Sequence, residues 1–374
     1  MKKFFISVLP FLLAAAIIPI AAFYKSKVKA GETIQSDGPY VIYKNEQLFT
    51  HYVFLNDGVK SVKTDSMSMT KRSEITLTVA TDVPGKTFKV QLKPTLENEK
   101  TEFPKVKKQF ILSDIEGNFS AFRKLLQANV VIDSNFNWSF GNGHLVLTGD
   151  FFDRGSQVTE VLWLIYSLEE KAKKAGGYIH FILGNHEIMN LSGDIRYVQP
   201  KYFENAAMFN ENYMTLFGEN SELGKWLRTK NIMEKIGDVL FIHGGISAAV
   251  NRMDIPVSKV NKLARPYYAD STYVYSDPKI DTLYSDWGPF WYRGYYTGNP
   301  KASMMQIDST LSLYGVKHIA TGHTIVSDTI SVLYDGKVFN TDVHHAKGHS
   351  EALLIEEGNY YRVNAQGEKL LIHK

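Results

Sequence analysis

Five short polar clusters hold the residue types that could do chemistry: "SDIEGN" with Asp114 and Glu116, "GDFFDRG" with Asp150, Asp153 and Arg154, "GNHE" with Asn185 and His186, "HGG" with His243, and "GHT" with His323. Carboxylates, an amide and imidazoles suit two hard-to-borderline divalent ions held by oxygen and nitrogen, with one carboxylate bridging them. Asp150 is the natural bridge. On that reading Asp114, Glu116 and Asp150 surround the first ion, and Asp150, Asn185, His243 and His323 the second. Such a pair, about 3.5–4 Å apart, activates water at neutral pH and stabilises both the attacking and leaving oxygens of an in-line displacement at phosphorus. It also accounts for two acids placed two positions apart. On extended backbone Asp114 and Glu116 share one face, and a cation between them cancels their repulsion. His186 is placed to give a proton to the leaving oxygen, with Asp153 fixing its ring and keeping it cationic. Arg154 offers a bidentate fork for phosphoryl oxygens.

Taken singly, each cluster has a plainer reading. Asp114 would cap a helix and Glu116 sit in a solvated turn, Gly149-Asp150 would be a turn, Asn185 and His186 a capped helix start, His243 a satisfied buried histidine, and Gly322-His323 a loop. Their common position argues against coincidence. Each follows an apolar run, "KQFILSD", "HLVLTGD", "YIHFILGN", "DVLFIHGG" and "KHIATGH", so each falls at the carboxyl end of a strand. Helical patterns alternate with these strands, in "SAFRKLLQANVV" and in "VTEVLWLIYSLEEKAKKAGG", where Glu169/Lys173 and Glu170/Lys174 have the spacing of surface ion pairs. Alternating strands and helices predict an α/β layered domain, and loops at the carboxyl ends of its strands are where ligands bind.

Upstream, residues 32–98 read as a small β-rich accessory domain. Ile75, Leu77 and Val79 alternate with threonines, Val83-Pro84-Gly85-Lys86 offers a turn, and Phe88, Val90 and Leu92 alternate again, which predicts a hairpin. Its His51 reads as an ordinary strand residue, and a polar segment, 97–108, links it to the α/β domain at 106–374. Residues 1–30 carry Lys2 and Lys3 before an apolar stretch, residues 4–23, with Val28-Lys29-Ala30 beyond it. That pattern predicts a signal peptide or a membrane anchor, and hence a chain exported to the periplasm or cell envelope, or tethered to the membrane. A formal charge of +3 with no basic run interleaved with aromatics excludes a nucleic-acid partner. The absence of cysteine excludes disulfides and thiolate metal sites.

Residues 106–374 resemble the calcineurin-like metallophosphoesterases. GD-x-x-DRG, GNHE and HGG are similar to the phosphoprotein phosphatase branch, and "GNHEIMNLSGDIRYV" and "GPFWYRGY" to the Shewanella-like protein phosphatases. The resemblance implies a β-sandwich flanked by helices and the metal ligands derived above. It further implies His186 as general acid paired with Asp153, and Arg154 and Arg293 as phosphate ligands. Arg196 lies in the matching stretch, where a phosphate contact and a structural ion pair remain equal readings. The departure is Asp114-Ile115-Glu116, where the family has Asp-x-His. Three acidic ligands make the first position harder, which favours Mn2+, Mg2+ or Fe2+ over Zn2+; alternatively Glu116 does not reach and that ion binds weakly. His344, His345 and His349 in "DVHHAKGH" read as surface residues, with the rim of the site, as extra phosphate contacts or an adventitious metal site, as the alternative. The expected activity is hydrolysis of phosphate monoesters, on phosphoprotein Tyr or Ser/Thr or on small phosphoesters. The alternatives are a nucleotide or dinucleoside polyphosphate hydrolase, or a protein that binds phosphate with little turnover.

Overall fold

Alternation along the strands decides the layers. The computed structural model describes residues 35–298 and 301–374, so the expected signal or anchor segment, 1–30, lies outside the described residues. Among the described residues no helix is long and apolar enough to cross a membrane. The strands of the α/β part are β6 (Glu102–Phe103), β7 (Lys108–Leu112), β8 (His144–Leu147), β9 (Tyr178–Phe181), β10 (Met233–Ile236), β11 (Val239–Ile242), β12 (His318–Thr321), β13 (Ser331–Leu333), β14 (Val338–Asn340), β15 (Glu351–Glu356), β16 (Asn359–Asn364) and β17 (Lys369–His373). They form two six-stranded sheets, ordered β13-β14-β12-β11-β10-β6 and β17-β16-β15-β7-β8-β9. β7, β8 and β9 run parallel, as do β11, β12 and β14.

Ile111, Val146, Leu353 and Ile355 of one sheet meet Val239, Phe241, Ala320 and Phe339 of the other in one apolar layer. Their neighbours Phe110, Leu112, Leu145, Leu147, Leu240 and Ile242 point the other way into a second core under the helices. Strands buried on both faces have no polar alternation, which is why β11 reads as an unbroken apolar run and β8 departs from one only at its first residue, His144. The result is the expected sandwich with helices outside. Helix α1 (Phe119–Ala128) starts at Asn118, whose side chain accepts the Ala121 N–H at 3.1 Å, and buries Phe119, Phe122, Leu125 and Leu126.

The strands expected between 32 and 98 are present, as an antiparallel sheet of β1 (Gln35–Lys44), β2 (Gln47–Asn56) and β3 (Val59–Ser68) and a ribbon of β4 (Thr76–Ala80) and β5 (Thr87–Gln91). They do not close a core of their own: Tyr40, Leu48, Leu77, Val79, Phe88 and Val90 share the core of the helices, and Ile34–Lys374 is one compact unit. The reason lies in α2 (Val158–Lys174), which is buried on nearly every side because β1, β4 and β5 cover the face turned away from β9. The same burial overturns the pairing read for its last turns. Glu169 is 1% exposed and turns inward, where it pairs with Lys93, with Lys230 at 2.7 Å and with the Trp226 N–H, leaving Lys173 to Glu170 at 3.4 Å. The polar segment 97–108 is built in as well, since β6 adds to β10 and Glu99 pairs with Lys230 at 2.8 Å.

Candidate active site

The carboxyl ends of β7, β8, β9 and β12 deliver four of the five polar clusters to one cavity of about 360 Å³, lined by Asp114, Glu116, Asp150, Arg154, Asn185, His186, Arg293 and His323, while the fifth, at the end of β11, places His243 fully buried behind Asp150 and Asn185. Larger depressions, of about 710 and 520 Å³, lie elsewhere and hold no such set. The backbone that carries these residues is strained. Asp114, Glu116, Asp150, Asp153, Arg154 and His323 all have positive φ, between 48° and 70°, a region that costs an L-residue of this kind on the order of 1–2 kcal/mol. Hydrogen bonds between the loops hold it there: Asp114 N–H to the Gly149 carbonyl (2.9 Å), Glu116 N–H to Asp150 (3.0 Å) and Gly117 N–H to Phe151 (3.0 Å). Gly149 and Gly184 are required by contact, because a Cβ would meet the His243 ring at 2.6 Å from the first and the Asp150 carboxylate at 2.3 Å from the second.

Glu187, which the sequence reading passed over, clamps two of these loops. Its fully buried carboxylate accepts the N–H groups of Asp150 (2.8 Å) and Gly184 (2.7 Å) on one oxygen, and of Phe151 (2.7 Å) and Phe152 (3.3 Å) on the other. Burial and the neighbouring Asp150 push its carboxyl up to about 7 against the pull of those donors. The local signal was available. Glu at the third position of α3 (Asn185–Ser192) is the reaching half of a capping box. Asp342 was also missed; it lines the cavity just beyond β14, and burial with Asp114 and Asp150 nearby raises its carboxyl well above the usual range.

Asp150 is the hub. Its Oδ1 accepts the His186 N–H at 2.9 Å, and its Oδ2 lies 3.1 Å from His243 Nε2 and 3.9 Å from His186 Nε2. Burial alone would raise its carboxyl, but His243 and His186 hold it well below the usual range. Burial likewise opposes a charge on His243, yet Asp150 lifts that imidazole to about 9. Asn185 brings its Oδ1 within 2.9 Å of His243 Nε2. A carbonyl can only accept, so His243 donates Nδ1–H to Thr148 (2.7 Å) and Nε2–H to Asn185 Oδ1, and would have to give up the Nε2 proton to bind an ion, whereas His323 donates Nε2–H to Trp291 (3.2 Å) and keeps Nδ1 for a ligand. Burial, His243 and Arg293 keep His323 neutral, its pKa well below the usual value.

Donor atoms of Asp150, His243 and His323 lie within 4.8 Å of one another, as do those of Glu116, Asp150 and His186. An oxygen and imidazole set of this kind fits divalent ions. Asp114 belongs to neither group; its carboxylate accepts the His323 N–H at 3.1 Å, and burial followed by the opposing pulls of His243 and Asp150 leaves its carboxyl raised to about 6. His186 donates or shares its Nδ1 proton with Asp153 at 2.6 Å, and its pKa is raised because Asp150 and Asp153 outweigh burial. Arg154 pairs with Glu116 and lies over Tyr197, and Arg293 bonds the His323 carbonyl and Thr324 (3.1 Å).

Arg196 is turned to solvent and bonded to Asp194 at 2.7 and 2.8 Å, the ion-pair alternative of its two readings. The three histidines read as surface residues divide. His349 is exposed and His344 is half-buried on Asp328 at 2.7 Å, whereas His345 is buried with neither ring nitrogen hydrogen-bonded, and burial pushes its pKa down to about 4. His51 stacks on Phe209 at 4.3 Å, an ordinary packed strand residue.

A model of the calcineurin-like phosphoesterases matches residues 108–327. The chain belongs to the calcineurin-like phosphoesterase family. This phosphoesterase is therefore a hydrolase, and the resemblance read from GD-x-x-DRG, GNHE and HGG is borne out. It is 25% identical over 308 residues to Shewanella-like protein phosphatase 2 of Arabidopsis thaliana, which is 70% of this chain and 77% of that protein. It is 28% identical to Shewanella-like protein phosphatase 1 of Plasmodium berghei, over 57% of this chain and 60% of that one. The structure of the cold-active protein-tyrosine phosphatase of a psychrophilic Shewanella sp. superposes with a TM-score of 0.80 at 34% identity, covering 91% of this phosphoesterase and 100% of that chain.

Proposed function

We propose that this phosphoesterase hydrolyses phosphate monoesters, with phosphotyrosine in proteins as the leading substrate class. The observation that carries the proposal is His186, whose Nδ1 is held 2.6 Å from Asp153 while Nε2 faces the Asp150 hub, in a cavity that also presents Arg154 and Arg293. Asp114, Glu116 and Asp150 would hold one divalent ion and Asp150, Asn185, His243 and His323 a second, with Mn2+ the best match to the acid-rich first set. When bound, the two ions supply the positive charge that activates water and stabilises the oxygens of the displacement. Arg154, Arg293 and the Asn185 amide orient the phosphoryl oxygens. As the bond from phosphorus to the ester oxygen breaks, His186 passes its Nε2 proton to the leaving oxygen, and Asp153 stabilises the cation beforehand and orients the ring. The products are the free alcohol or phenol and inorganic phosphate. The 34% identity to a protein-tyrosine phosphatase over its whole length supports a phosphotyrosine leaving group. The segment 1–30 supports export or membrane tethering, which fractionation of the full chain checks directly.

The test is phosphate release from p-nitrophenyl phosphate and from phosphotyrosine peptides by protein stripped of metal and titrated with Mn2+, with Asn185→Ala and His186→Ala alongside. Mn2+-dependent turnover, lost by roughly 10²-fold or more in His186→Ala, is the expected result. Bound metal and phosphate without turnover would instead make the chain a binding protein. Turnover confined to nucleoside polyphosphates would move it to the nucleotide reading.

A further inference from the structure

Glu116 occupies the position where the family motif has an imidazole, and the structure gives it a partner that a metal-ligating imidazole could not hold. Its Oε1 forms an ion pair with Nη1 of Arg154, and the two side chains are 18% and 53% exposed. Glu116 also brings a carboxylate oxygen within 4.8 Å of donor atoms on Asp150 and His186, so one group reaches both the arginine and the metal-binding hub. The two loops are joined along their backbones too. Gly155 N–H bonds the Glu116 carbonyl at 2.8 Å and Gln157 N–H the Gly117 carbonyl at 3.1 Å, and a Cβ on Gly155 would strike the Glu116 carbonyl at 2.4 Å. On its other side, the Arg154 N–H bonds the Tyr197 carbonyl at 3.0 Å and the guanidinium lies 5.5 Å from the Tyr197 ring.

An arginine on a flexible stem loses rotamer entropy when it closes on an anion, and a guanidinium already held on two sides loses less. One N–H group spent on Glu116 leaves the rest of the five-donor fork for a phosphoryl group. We propose that Glu116 is a positioning residue: it holds Arg154 at the mouth of the cavity for phosphate and ties that arginine to the loop that carries Asp114. The proposal rests on the reading of Arg154 as a phosphoryl contact.

The test measures bound Mn2+ by elemental analysis and the affinity for inorganic phosphate by calorimetry, on the full protein. Wild type is compared with Glu116→His, Glu116→Gln, Arg154→Ala and the double variant Glu116→His/Arg154→Ala, each checked for an unchanged circular dichroism spectrum. Glu116→His restores an imidazole ligand, so it should keep its metal yet bind phosphate about fivefold more weakly, the reach of one partly exposed ion pair. Arg154→Ala should weaken phosphate at least as much, and adding Glu116→His to it should cost nothing more, because Glu116 acts through the arginine. Unchanged phosphate affinity in Glu116→His, or the same loss with and without Arg154, overturns the proposal. Metal and phosphate bound by wild type but equally well by Arg154→Ala would remove Arg154 from the phosphate site and the proposal with it. A wild type that binds neither metal nor phosphate would sink the phosphoesterase reading of the cavity itself.

Discussion

Replacing Glu187 by Gln exchanges one carboxylate oxygen for an NH2 group with almost no change of shape. Each oxygen accepts two backbone N–H groups, Asp150 and Gly184 on one, Phe151 and Phe152 on the other, so either orientation of the amide leaves two buried donors facing a donor. A buried donor left unsatisfied costs roughly 1–3 kcal/mol, so the variant should lose about 2–6 kcal/mol of stability. The loss is read from urea midpoints at about pH 8.5, above the value of about 7 to which Glu187 is raised, where the wild-type group is ionised. Because the clamped N–H groups belong to the loops that carry Asp150 and Asn185, phosphatase activity should fall together with stability. A Gln variant within about 0.5 kcal/mol of wild type, with full activity, would refute the clamp.

Two further perturbations follow from groups outside the cavity. Burial raises the Glu234 carboxyl from 4.5 to about 8, and Glu234 accepts from Asn231 at 2.8 Å and shares a proton with His180 at 2.7 Å. The folded protein thus keeps a proton that the unfolded chain releases above about 4.5, so stability should fall as pH rises from 4.5 to 8; Glu234→Gln, which can keep both hydrogen bonds, should flatten that decline by up to a few kcal/mol in pH-dependent melting. Glu169→Ala should cost about 3–5 kcal/mol in urea unfolding, because it strips a buried carboxylate from Lys93, Lys230 and Trp226 together, while Glu170→Ala on the same helix should cost under about 0.5 kcal/mol.

Strands β7, β8, β9, β11 and β12 and the polar clusters that end them were legible without coordinates, because a strand buried on both faces is a short apolar run and its end is marked by the first polar residue. The hairpin of β4 and β5 and the helical pattern of α1 were legible for the same reason, that each depends on neighbours a few residues away, although the cap is Asn118 and not Asp114. Convergence of the clusters within each sheet also followed from sequence, since parallel strands share one carboxyl end, whereas the meeting of the β7–β9 ends with those of β11 and β12 depended on how the two sheets pack. Partners distant in the chain did not follow. Helical spacing offered Glu169 to Lys173, but Lys93 and Lys230 claimed it from 76 and 61 residues away, and spacing along a helix does not tell which face a second layer will cover. The burial of His345, the arrival of Asp342 beside Asp114, and the sharing of one core by β1–β5 with α2 belong to the same class. So does Glu116. Its sequence position named the imidazole it replaces, but only the folding of one strand-end loop over another set its carboxylate against Arg154. Local composition determines which groups stand at strand ends, whereas layer packing determines which of them meet.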